Sequence, residues 1–79
     1  MTNDEIDEIL KSWISMNKAL PDLTEADLKD VINRELVGNR RKDVAVRLHQ
    51  RYTIVRAKRE RAELIESVTD VPEFLVGAV

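Results

Sequence analysis

From Arg40 to Val71 the chain contains neither glycine nor proline, and that one uninterrupted run limits the fold more than anything else in it. A run of that kind with helix-favouring residues predicts a single helix over 40–70, about 45 Å long at 1.5 Å per residue. Two glycines and two prolines in 79 residues leave few other places to turn. Pro21, Gly38 and Pro72 therefore divide the chain into three helical stretches and a tail. The expected fold is all-α: two short amphipathic helices packed on a long third one, a helical hairpin or bundle completed by dimerisation.

The first stretch, 3–18, places Ile6, Ile9, Leu10, Trp13, Ile14 and Met16 mostly on one face, with Trp13 as the expected core anchor. Asn3 reads as its N-cap, followed by Asp4, Glu5, Asp7 and Glu8, which suit the positive end of the helix dipole. The second, 24–37, opens on Thr24 with Asp27 three residues on, a capping-box spacing. Leu28, Val31, Ile32 and Leu36 form its apolar stripe; Gly38 ends it, and Asn39 is placed to cap the next helix.

At 100° per residue the long stretch has two apolar faces. Val44, Leu48, Tyr52, Val55 and Ala62 make one, which is assigned to the core; Val46, Ala57, Leu64 and Val68 lie nearly opposite and are assigned to a homodimer contact or to the apolar tail 71–79. One compact domain over 1–79 follows.

Charge is distributed unevenly. Residues 40–61 hold nine cations against two acids, Asp43 and Glu60, a formal +7; residues 1–39 hold four cations and nine acids, and 62–79 four acids and no cation. On the wheel Arg40, Arg47, Arg51, Lys58 and Arg61 gather within about 80° of arc beside the core stripe. Arginine forks match carboxylate or phosphate, so this ridge is the expected partner-binding surface for another protein or, alternatively, for nucleic acid. The competing reading pairs the ridge with the chain's own acids. The hinge at Gly38-Asn39, followed by Arg40-Arg41-Lys42, also has the outline of a helix-turn-helix, although a recognition helix is usually shorter.

Nothing points to catalysis, a cofactor or a metal. The chain has no cysteine and one histidine, His49; its serines lack a glycine-rich elbow, and Asp4, Asp7 and Glu8 supply too few oxygens for a hard cation. The expectation is a non-enzyme. An acidic start without an apolar run argues against a signal peptide, and no apolar stretch of ~18 residues spans a membrane, so the chain is expected to be cytoplasmic. Phe74-Leu75-Val76 is expected to fold over a groove or to be captured by another protein.

The run Arg47-Leu48-His49-Gln50-Arg51-Tyr52, with Arg56, Arg59 and Glu60, resembles small accessory proteins of tailed bacteriophages over about a quarter of the chain. That resemblance implies a short inhibitor or regulator that acts by binding a host or viral component.

Overall fold

The computed structural model describes residues 1–69, and the expectations for the tail lie outside them. The described chain is mostly helical with no strand. Helix α1 spans Asn3–Leu10, α2 Trp13–Ala19, a 3₁₀ turn Leu20–Asp22, α3 Glu25–Val37 and α4 Lys42–Thr69.

The stretch read as one helix over 3–18 is two. Ser12 adopts an extended conformation, φ −153° and ψ 159°, and its hydroxyl accepts the Ser15 backbone N–H to cap α2. The Ser15 hydroxyl in turn donates to the Glu8 carbonyl at 2.9 Å, satisfying an acceptor that the end of α1 leaves open. Two serines thus serve both sides of the joint. Thr2, not Asn3, caps α1, accepting from the Glu5 N–H at 3.2 Å.

The capping box at α3 forms as its spacing predicts: the Thr24 hydroxyl accepts the Asp27 N–H, and the Asp27 carboxylate accepts the Thr24 N–H. After Gly38 the chain turns through Arg40, which has φ 54°, a left-handed conformation uncommon for a residue other than glycine. Its N–H reaches the Glu35 carbonyl at 2.9 Å. Asn39 does not cap the next helix. That helix starts three residues after it, at Lys42, with the Ala45 N–H bonded to the Arg41 carbonyl.

The core is built from all four helices and the 3₁₀ turn: Ile6, Leu10, Met16, Leu20, Leu23, Leu28, Val31, Val44 and Leu48 are buried, with Ile9, Ile32, Tyr52 and Val55 packed at its edge. Trp13 is not its anchor. It stands 48% exposed, because the break at Ser12 re-aims α2 and hands the core position to Met16, 1% exposed. Leu36, expected on the buried stripe of α3, is half-exposed, and Glu35 beside it is the buried residue at 1%.

Helices α3 and α4 form an antiparallel hairpin tied at both ends. Near the turn Arg41 grips Glu35; at the far end Arg59 grips Glu25. The two helices therefore run side by side, unlike the roughly 90–120° crossing of a helix-turn-helix. The residues of α4 beyond Arg59 extend past the start of α3. Ala62, read as part of the core stripe, is exposed there.

Candidate interaction surface

Acids and cations in this chain are sorted into two sets. The first set is used internally. Asp7 on α1 receives Arg34 of α3 through two hydrogen bonds of 3.1 Å. Glu35 receives the Arg41 guanidinium at 2.9 and 3.0 Å and the Arg41 backbone N–H at 2.9 Å, while the same guanidinium donates to the Leu10 carbonyl at 3.1 Å. Glu25 receives Arg59 at 2.6 and 3.2 Å, and Glu63 takes a third bond from Arg59 at 3.0 Å. The Arg34, Arg59 and Arg41 hydrogen bonds hold Asp7, Glu25 and Glu35 below the ordinary carboxylate range, with burial opposing each.

The second set is the ridge. None of Arg40, Arg47, Arg51, Lys58 and Arg61 forms an ion pair with a carboxylate among the described residues. Arg47 is half-buried against α2, its Nε donating to Asn17 Oδ1 at 3.0 Å. Asn17 is itself oriented by donating to the Trp13 carbonyl at 2.9 Å. Arg51 is also half-buried, and its Nε is shielded from water with no acceptor among the described residues, an arrangement that generally costs about 1–3 kcal/mol. Lys58 and Arg61 are exposed farther along α4.

Arg40 does not belong to the α4 ridge. It lies before the helix begins, so the 100° rule does not apply to it, and its Nε donates to the Leu36 carbonyl at 3.0 Å. The surface that α4 offers is therefore Arg47, Arg51, Lys58 and Arg61, with Arg40 on the adjoining turn.

Beside Arg47 an open groove is lined by Trp13, Lys42, Asp43, Val46 and Gln50. Trp13 and Val46 are its apolar walls, each 48% exposed. Sequence reasoning assigned Trp13 to the interior and so missed this groove. The available signal was Ser12, a strong N-cap type directly before it.

The remaining sequence candidates separate cleanly. Leu48 is fully buried, and Tyr52 and Val55 pack at the core edge. Arg56 sits over the Tyr52 ring at 5.6 Å, a cation–π contact, and the His49 ring is tilted against that of Tyr52, 6.3 Å between centroids. Val46, Ala57, Leu64 and Val68 are all exposed. Among the described residues no three histidine, cysteine, aspartate or glutamate side chains converge on a metal position. No described helix is long and apolar enough to cross a membrane.

No family model, curated protein or solved structure matches the chain.

Proposed function

We propose that this protein is a non-enzymatic interaction protein that binds an acidic protein partner through Arg47, Arg51, Lys58 and Arg61 of α4, with Arg40 at the edge. The observation that carries this reading is the sorting of charge. Arg34, Arg41 and Arg59 take Asp7, Glu35 and Glu25, and among the described residues the ridge cations form no ion pair with a carboxylate. A surface of that kind is complementary to carboxylates arriving from elsewhere, and arginine fork geometry favours such pairing.

The groove beside Arg47 favours a protein over nucleic acid. Tryptophan and arginine at the centre of a contact, with apolar walls around them, are what protein interfaces concentrate. Nucleic acid is the second reading, since the same ridge would follow a phosphate backbone. Nine acids within residues 1–39 oppose it by repulsion. As a small inhibitor or regulator, the role implied by its likeness to phage accessory proteins, the chain would act by occupying its partner's acidic surface.

Fluorescence anisotropy with a labelled glutamate-rich peptide, and with labelled duplex and single-stranded DNA, tests both readings at ~50 and ~200 mM salt. Lys58→Glu is expected to weaken peptide binding on the order of tenfold, whereas Lys29→Glu on α3, the same change of charge off the ridge, leaves it nearly unchanged. Equal losses in both variants would reduce the ridge to net charge. DNA binding tighter than peptide binding, lost steeply between the two salt concentrations, would install the nucleic-acid reading instead.

A further inference from the structure

The face of α4 opposite the core holds a second pattern. Ile54, Ala57, Arg61, Leu64 and Val68 follow one another at spacings of three, four, three and four residues, the a and d positions of a heptad. A helix packed in a globular core shows a broader stripe, whereas a strict a/d seam is the signature of two helices winding around each other. The seam is open: Ile54 is 45% exposed, Leu64 63% and Val68 41%, with Ile65 at 56% flanking it. Among the described residues α4 is exposed all round beyond Arg59, and a helical end this short is marginal in water unless something packs on it.

We infer that a second copy of this chain covers the seam, the two α4 helices running parallel as a two-stranded coiled coil over Ile54–Val68. The residue types specify the arrangement. β-Branched Ile54 and Val68 at a with Leu64 at d is the combination that favours parallel pairs. The one charged seam residue, Arg61, sits at a, and a single polar a position fixes register at some cost in affinity.

Charge complementarity supports a second copy rather than a different occupant. Glu60 occupies the g position immediately before Arg61. In a parallel pair the a side chain enters a hole bordered by the preceding g residue of the facing helix, so Arg61 meets the partner's Glu60, and the same contact repeats across the twofold axis. In an antiparallel pair a faces d, and Arg61 would meet an apolar seam residue. Among the described residues of one chain Glu60 has only looser contacts, 3.5 Å to Arg56 and 4.0 Å to Arg59, and it is more than half exposed. The core stripe Val44, Leu48, Tyr52 and Val55 lies on the opposite side of α4, so dimerisation requires no rearrangement of the fold.

This inference shares Arg61 with the acidic-partner reading: in the dimer Arg61 is taken by Glu60, and Arg47, Arg51 and Lys58 are the α4 cations left for a partner. Arg51 and Lys58 occupy e positions beside the seam, so a parallel dimer sets two copies of those cations along one edge while drawing Arg61 inward. Two heptads make a short seam, and the association is expected to be weak enough to depend on concentration in the micromolar range.

Sedimentation equilibrium of the full chain from ~5 to ~200 µM should show a monomer–dimer equilibrium, the seam being small. Leu64→Asp should abolish it while leaving far-ultraviolet circular dichroism at low concentration near that of the parent, because Leu64 contributes nothing to the core. Glu60→Lys should weaken the dimer about tenfold by repelling Arg61, and adding Arg61→Glu should restore it. Orientation is read by disulfide trapping, for which the absence of native cysteine is an advantage. Ala57→Cys and Leu64→Cys, as separate variants, should both crosslink to their own copies. An antiparallel register can bring at most one of them to itself. A monomer at every concentration would overturn the inference. Crosslinking at only one position would overturn the parallel arrangement.

Discussion

Glu35 is the residue on which the hairpin turn depends. A carboxylate 1% exposed at the end of an otherwise apolar stripe needs compensation, and Arg41 supplies three bonds to it from two parts of one residue. The backbone N–H of Arg41 is among those donors, so Glu35 also acts as a substitute cap for the first turn of α4, the role expected of Asn39. Glu35→Gln keeps the shape but loses the charge, and is expected to cost about 2 kcal/mol, seen as a lower urea midpoint with an unchanged slope. An unaltered midpoint would mean that the pair only breaks even against solvation. The sequence carried a trace of this site: Glu35 follows Leu28 at i+7 and Val31 at i+4, so it sits on the core face by spacing. Reading the stripe through Leu36 instead placed the apolar residue inside by type and passed over the charged one, because a buried acid is inferred only once its arginine is seen to reach it. Arg40 shows a related gap: sequence gives no sign that it, rather than Gly38, takes the positive φ.

Among the elements, α4 and α3 were legible and the first stretch was not. The boundaries of α3 follow from Thr24, Asp27 and Gly38, each a local signal with one dominant reading. Helix α4 follows from the absence of breakers, and it differs from the expected 40–70 at its start because Arg40 turns the chain first. The division at Ser12 involves no glycine or proline. It arises at a competent cap residue, and α1 buries Ile6 and Leu10 while α2 buries Met16. Ser12→Ala is accordingly expected to lose about 1 kcal/mol. For a domain this size that lowers the thermal midpoint by roughly 4–8 °C. Thr24→Ala should lose a similar amount, since it removes half of the capping box. Scanning calorimetry of both variants checks the pair. A negligible shift for Ser12→Ala alone would place the joint's stability in the Ser15 bond to Glu8 instead.

At the scale of the whole molecule, acid pairs hold separate segments together: Asp7–Arg34 joins α1 to α3, Glu35–Arg41 closes the turn, and Glu25–Arg59 fixes the far end of the hairpin. Sequence supplied the inventory of charges but not this pairing, because which acid meets which cation depends on how α3 lies along α4. That placement also decides which cations remain for a partner. The three carboxylates share one pH consequence. Each has a folded-state pKa below its ordinary value, so the unfolded chain takes up the proton first as pH falls. Their stabilisation is therefore complete above the ordinary carboxylate range, about pH 4, and is lost as pH drops through that range towards the folded values. Urea midpoints should be flat from about pH 6 to 8 and fall below about pH 4.5, with Glu35→Gln showing a shallower acid limb than the parent. An equally steep limb in that variant would move the acid sensitivity to the two outer pairs, Asp7–Arg34 and Glu25–Arg59. A limb rising towards low pH would contradict all three, since the hairpin would then be strained by its buried and bridged carboxylates rather than held by them.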